Sequence, residues 1–519
     1  NIEETETAMK LIRGKYLFAD ITDEKNGILT DGAVLVEGEK IAEVGSYSDL
    51  KQRFSQAEEL GGEKDLVMPG IIDAHTHGRG LSYIQKGIPF DYLENCIFSW
   101  MGAVDLPADL NAQLMAVRHI RNGSTMMNMI DNLPLFDEKV LDRAKTTVEN
   151  YGKTGIRCAY APGIKDVNAL ANDDEAFYET LPPHLQKTVH DMVFFDKTAA
   201  QDYFVEAFRE MRNSLHSDMT NIILGPTWAH GCTDAFYEKL RRLSEEYGGL
   251  PMHIHTLQTP YQREYGERKY GKSLLAHMKD CGIVDEHLVL GHAVYLTESD
   301  MELLSEAHAS VTHHPSCNLL MRNGIAPVWY MLQHGVNVAL GIDEKQLADD
   351  EDVLEELRMI YALHRVPDYD MAHTPALTPF QVLAMGTTNA ARTVGLDGKL
   401  GKLQKGQLAD LIVVDTHHMT EDPWTAPDAD IRSLFIHRAQ GRFVKDVIIN
   451  GEIVMRDRKL TKIDVDGLYG EVRAYMEHAW RKEPTRYQLD MREVREYYHK
   501  WVEGKVQTSD DVFYQVNAR

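Results

Sequence analysis

Val67-Met68-Pro69-Gly70-Ile71-Ile72-Asp73-Ala74-His75-Thr76-His77 decides how the rest of the chain reads. An apolar run of strand length ends in two histidines one residue apart, and alternation along an extended segment points His75 and His77 the same way. Two imidazoles converging at the end of a strand suit a transition metal. Outward from this run the pattern repeats as strand, loop and amphipathic helix. Candidate strands fall at 67–72, 125–129, 155–160, 221–224, 252–254, 288–290, 310–312 and 336–340. Eight strands with helices between them, and no G-x-G-x-x-G opening turn, predict an α/β chain. The expected form is a (β/α)8 TIM barrel over residues 67–397, not a dinucleotide-binding sheet.

Both ends of the chain read differently. Residues 10–20, 33–36 and 41–44 alternate as short strands around a Glu37-Gly38-Glu39 turn. The pattern returns at 411–414 and at 447–449, where Asn450-Gly451 leads into 453–455; Asn-Gly between apolar runs is a strong hairpin signal. Residues 1–66 and 398–460 are therefore expected to form one small β-sandwich from both chain ends. Residues 461–519 read as a helical extension, with surface helices at 471–481 and 491–501. The segment 167–214 exceeds an ordinary barrel connection and should hold extra helices.

The 519 residues include 55 Lys and Arg against 80 Asp and Glu, a formal charge of −25. That balance repels phosphate backbones and anionic membrane surfaces, so nucleic acid and membrane partners are not expected. Cys96, Cys158, Cys232, Cys281 and Cys317 lie far apart with no C-x-x-C pair, which fits a reducing compartment. Glu3, Glu4 and Glu6 stand where a secretory leader would be basic, and no run of about 18 apolar residues occurs. A cytoplasmic location is the expectation.

Every strong polar signal in 67–397 falls at the C-terminal end of a proposed strand, where barrel enzymes carry their sites. His253 and His255 close the fifth, His292 the sixth and Asp343 the eighth. Any one of them alone reads as a packed core histidine or a helix cap; chance alignment of all on matching strand ends is a poor explanation. Grouped, His75, His77, His255 and Asp343 would surround one divalent ion, zinc first and iron or manganese next. The ion would lower the pKa of water from about 15.7 toward about 7 and make hydroxide available. Asp343 would take the proton, and His292 would orient the nucleophile or polarise the substrate. The reaction expected is hydrolysis at an electrophilic carbon.

At this point the sequence resembles the amidohydrolase superfamily, in the branch of cytosine, guanine and S-adenosylhomocysteine deaminases and s-triazine hydrolases. The resemblance is carried by 69–77, by Gly291-His292-Ala293-Val294-Tyr295-Leu296, and by Thr312-His313-His314-Pro315-Ser316-Cys317-Asn318-Leu319. It continues through 324–328 to Leu340-Gly341-Ile342-Asp343, with Thr388-Asn389-Ala390-Ala391-Arg392 and 401–411 beyond. It covers about residues 10–460. It implies the metal ligands His75, His77, His255 and Asp343 and the catalytic histidine His292, which leaves His253 as a neighbour. It also implies a small nitrogen-heterocycle substrate, a deaminase activity and a homo-oligomer. Gln258, His313, Glu344 and Trp100 are the expected substrate contacts. The aromatic tail, with Trp480, Tyr487, Tyr497, Tyr498 and Trp501, is expected to pack on the barrel or on a neighbouring subunit.

One departure matters. Deaminases of this branch carry His-x-x-Glu on the fifth strand, whereas this chain has His255-Thr256-Leu257-Gln258. An amide can hydrogen-bond a ring but cannot shuttle a proton. Glu264, Glu267 and Glu344 are the nearby acids. Otherwise the reaction is displacement of chloride or an alkylamine from a triazine-like ring, whose proton demands differ, or the chain is an inactive binding barrel. A second ion would need a bridging carboxylated lysine, for which Lys165, several residues past the end of a strand, is the candidate. The run Asp349-Asp350-Glu351-Asp352 reads as a helix start favoured by the helix dipole. Alternatively Glu344, Lys345 or Asp349 reaches the substrate.

Overall fold

The computed structural model describes residues 9–345, 347–365, 373 and 375–506. Strands β1 (Lys10–Phe18), β2 (Ile28–Glu37) and β3 (Lys40–Ser46) pair antiparallel where alternation predicts them, and β4 (Glu58–Pro69) runs parallel to β1. The run 67–72 is two strands, not the single one expected. It breaks at Gly70, where a Cβ would stand 2.1 Å from the Thr125 side chain and where the backbone N–H donates to the Asp410 carbonyl at 3.1 Å.

Past that break, β5 (Ile71–Thr76), β6 (Ser124–Asn132), β7 (Arg157–Gly163) and β8 (Thr220–Ile222) form one parallel sheet in chain order. A second parallel sheet contains β9 (Met252–Thr256), β10 (Leu288–His292), β11 (Ser310–His313) and β12 (Asn337–Leu340). Most of these residues are buried on both faces, which is why the strands read as apolar runs. The two sheets touch at both edges. Thr76 bridges Asp343 and Leu224 bridges Met252, and the Asp343 N–H donates to the His75 carbonyl at 2.7 Å.

The terminal strands β13 (Leu411–Asp415), β14 (Val444–Ile449), β15 (Glu452–Arg456) and β16 (Lys459–Leu460) join β4 through β13. Both chain ends thus build one eight-stranded sheet, in the order β16-β15-β14-β13-β4-β1-β2-β3. Asn450 and Gly451 both take positive φ, 53° and 75°, as a two-residue hairpin turn requires. Arg157 in β7 fixes this sheet to the parallel strands. Its buried guanidinium donates to both Asp410 oxygens, at 2.8 and 2.9 Å, and to Asn450.

The insertion holds the expected helices, Asp174–Tyr178, Pro183–Val193 and Lys197–Leu215. The two C-terminal helices, Val465–Trp480 and Arg486–Val502, start five or six residues earlier than periodicity alone predicts, because Asp464 and Thr485 cap them. The first packs Leu468 and Val472 on Leu110, Leu114 and Val117; the second packs Met491, Val494 and Tyr498 on Phe98 and Phe177. Tyr497 and Trp501 also pack on this chain, whereas Trp480 and Tyr487 stay exposed. Among the described residues, no helix is long and apolar enough to cross a membrane.

Candidate metal centre and active site

Strand ends bring the histidines together. His77 Nε2 lies 3.1 Å and His75 Nε2 3.4 Å from Asp343 Oδ1, and His292 Nε2 lies 3.4 Å from Asp343 Oδ2. Donor atoms of His75, His255, His292 and Asp343 all fall within 4.8 Å of one another. Leu257, His292, Ala293 and Asp343 hold left-handed φ values of 49–73° at these strand ends, a local strain characteristic of functional sites.

Hydrogen bonds to carbonyls decide two tautomers. His77 Nδ1–H donates to the Ile130 carbonyl at 3.2 Å and His255 Nδ1–H to that of Thr227, so the neutral form of each ring has its lone pair on Nε2. Those two atoms face each other at 3.3 Å. Facing lone pairs repel unless a cation lies between them, and two donors about 2.0–2.1 Å from one tetrahedral ion stand about 3.3–3.4 Å apart. His75 Nε2 and His292 Nε2 are buried with no hydrogen-bond partner among the described residues. The residues present therefore fit a divalent ion.

Burial pushes the His75, His255 and His292 imidazoles down, favouring the neutral form that binds metal. His77 moves up, because its Asp343 bond and the Glu344 charge outweigh burial. Burial alone would raise Asp343, but the surrounding histidines hold it well below the ordinary carboxylate range.

A second layer holds these groups. His75 Nδ1 is hydrogen-bonded to His253 Nε2 at 2.7 Å, and His253 Nδ1 to the Asn128 amide at 3.1 Å. Asp73 accepts from the His75 and Ile342 backbone N–H groups and is bonded to His119 at 2.9 Å. Asn318 Oδ1 bonds His292 Nδ1 at 2.8 Å. Sequence reasoning gave no role to Cys317, yet its thiol donates to Asp343 Oδ2 at 2.8 Å, and burial pushes its pKa up so that it keeps the proton. His314 was missed as well, with its ring 4.2 Å from those of His75 and His292.

A cavity of about 250 Å³ lies over the site, with His77, His255 and Asp343 in its wall. Gln258, Glu344 and Trp100 line it as expected. His313 does not: it occupies the other parity of β11 from Thr312 and His314, and its Nε2 bonds His364 at 2.8 Å. Glu264 and Glu267 lie outside the lining and pair with Arg268 and Arg263. The acidic loop is internally engaged. Glu344 pairs with Arg79 at 2.8 Å, Lys345 with Glu351, Asp349 accepts from Ser82, and Asp352 caps the helix Val353–Leu363. Lys165 reaches the cavity but sits over the Trp228 ring, 4.0 Å from its centroid.

The chain belongs to the amidohydrolase family, whose model matches residues 66–454. Residues 32–54 also match an imidazolonepropionase-like composite domain of bacteria. A 5-methylthioadenosine/S-adenosylhomocysteine deaminase of Caldanaerobacter subterraneus subsp. tengcongensis is 28% identical over 457 residues, 86% of this chain and 94% of that one. A 5'-deoxyadenosine deaminase of Methanopyrus kandleri is 27% identical over 455 residues, 86% and 94% of the two chains. Among solved structures, a zinc-bound adenosine deaminase from Xanthomonas campestris superposes with a TM-score of 0.73 at 24% identity, covering 91% of this chain and 98% of its own. The zinc complex of atrazine chlorohydrolase from Arthrobacter aurescens gives 0.72 at 20% identity, covering 90% and 99%. These two likenesses are of fold. Family membership and deaminase relatives make this chain a hydrolase of C–N bonds in cyclic compounds.

Proposed function

We propose that this chain is a mononuclear metal-dependent aminohydrolase. It replaces an exocyclic amine on an electrophilic ring carbon of a purine, pterin, pyrimidine or triazine by water and releases ammonia. The observation that carries this reading is the pair of Nε2 lone pairs of His77 and His255, facing at 3.3 Å beside Asp343. His75, His77, His255 and Asp343 hold the ion, and zinc suits three imidazoles and a carboxylate, with iron or manganese next. A divalent ion bound there acts as a Lewis acid that makes water acidic enough to attack at neutral pH.

The chain's own groups do the rest. Asp343 accepts a proton from the attacking water, with the Cys317 thiol fixing which carboxylate oxygen is engaged. His292, anchored by Asn318, orients the nucleophile and polarises the ring. Gln258 hydrogen-bonds a ring nitrogen or carbonyl. Trp100, stacked on Tyr83 at 4.6 Å and 8°, supplies a flat apolar wall for a heterocycle, and Glu344 closes the mouth with Arg79.

Protein purified without added metal is expected to hold close to one equivalent of zinc, iron or manganese, and chelation should remove activity that the ion restores. Less than a few tenths of an equivalent, with no restoration, would sink the reading. A screen of aminopurines, pterins, pyrimidines and triazines for ammonia identifies the ring. Gln258 favours a second reading, displacement of chloride or alkylamine from a triazine-like ring, and release of halide or amine without ammonia would select it. If proton delivery limits deamination, Gln258→Glu should raise ammonia release by about 10²-fold or more, since a placed general acid is worth about 10²–10⁴. An unchanged rate would mean that another group already delivers the proton.

We infer further that the two parallel sheets close into one eight-stranded barrel, which the edge pairs Thr76–Asp343 and Leu224–Met252 support. The terminal sheet then curls into a sandwich over Ile12, Leu17, Val36, Val67, Val413 and Ile448, which share one core cluster. Domain limits at 1–66, 67–397, 398–460 and 461–519 follow from that reading. Five unpaired cysteines are in keeping with a cytoplasmic enzyme. A homo-oligomer would use the exposed Trp480 and Tyr487 face.

A further inference from the structure

Charges around the cavity balance, with one exception. Arg79 is paired with Glu344 and Asp105, and Asp343 belongs to the metal site. Lys165 is half-buried in an aromatic wall and has no ion pair among the described residues. Its amine lies 3.5 Å from the Ala169 carbonyl and stands over the indole of Trp228, which in turn stacks on His230 at 4.6 Å. Asp174, the nearest acid to influence it, is committed to the backbone N–H groups of Ala169, Leu170 and Ala171 at 2.6–2.9 Å. His230 is held neutral by burial and by Lys165 itself. A cation removed from water without a counter-charge is costly, and burial lowers the Lys165 pKa to about 8. An anion arriving with the ligand would relieve that cost at a fixed point on the wall.

We propose that Lys165 is a specificity-determining residue and that the preferred substrate is a nitrogen heterocycle bearing an anionic substituent, a carboxylate in the simplest case. This inference rests on the heterocycle reading of the site. The ring lies over the histidines, and the carboxylate extends along the Trp228 wall to the ammonium. The acidic run Asp349–Asp352 would suit a cationic or amine-rich substrate, but its carboxylates are engaged within the protein, which leaves Lys165 as the unpaired charge on the cavity wall.

Two probes test the inference by equilibrium binding and by ammonia release: adenine with a carboxyethyl arm on N9, and a pterin carboxylate, each against its primary amide. Wild type should favour at least one acid over its amide by about tenfold to hundredfold in Kd or KM, the worth of a charge-assisted hydrogen bond. Lys165→Met should erase that ratio, with the acid weakened far more than the amide, and Lys165→Arg should keep most of it. An acid bound no tighter than its amide on either ring overturns the inference. So does a ratio that survives Lys165→Met. If no ring releases ammonia but the Lys165-dependent ratio is present, the aminohydrolase reading fails and the anion site stands.

Discussion

Asp343→Asn is expected to lower kcat by about 10⁴-fold or more and to strip most of the bound metal, while leaving the fold intact. The carboxylate is the common neighbour of His75, His77 and His292, and it is the only negative group among those donors. Asparagine keeps one oxygen and replaces the other with an NH2 group, which either meets the Cys317 thiol as donor against donor or points at histidine protons and metal. Loss of the proton acceptor alone is worth about 10²–10⁴ in rate, and weaker metal binding adds to it. Asparagine is also the fair substitution for the backbone. Position 343 has φ of 68°, a conformation asparagine tolerates far better than alanine does, and its N–H bond to the His75 carbonyl is unchanged. Kinetics, metal content and circular dichroism on one preparation separate the outcomes. Retention of more than about 1% of wild-type kcat with full metal would remove Asp343 from the proposed role.

How much of this was legible beforehand follows from what kind of signal each feature leaves. Parallel strands buried on both faces leave short apolar runs, so all eight were found within a few residues. Strand ends leave abrupt polar residues, so His75, His77, His255, His292 and Asp343 stood out. The break at Gly70 left no such mark, because it depends on the Thr125 side chain from another strand. His313 was misjudged although the signal was there: alternation puts Thr312 and His314 on one face of β11 and His313 on the other, toward His364. Cys317, Arg79 and the free charge of Lys165 were invisible for a different reason. Their meaning lies in partners on other loops, and neither period nor spacing encodes which loops will meet.

The C-terminal helices pack Tyr497, Tyr498 and Trp501 on this chain, one of the two placements expected from the sequence. Helix Arg486–Val502 packs on Leu93–Met101, and that short helix presents Leu93, Ile97, Trp100 and Met101 to the cavity. Tyr498 is the joint: it is 1% exposed, with ring centroids 5.0 Å from Phe98 and 5.6 Å from Phe177. Around it, Arg495 donates to Ser99 at 3.1 Å and Trp501 Nε1–H to the Tyr261 hydroxyl at 3.0 Å. Tyr498→Ala is therefore expected to cost about 3–5 kcal/mol, the range for deleting a buried aromatic ring. Because the Leu93–Met101 helix would lose its backing, KM should rise more than kcat falls, with metal content unchanged. Trp424→Ala is the control: at 72% exposed it should stay within about 0.5 kcal/mol of wild type. Urea unfolding and steady-state kinetics on both variants decide the matter. A Tyr498 variant with native stability and native KM would mean that the extension merely covers the enzyme, whereas the expected pattern makes it the outer wall of the substrate site.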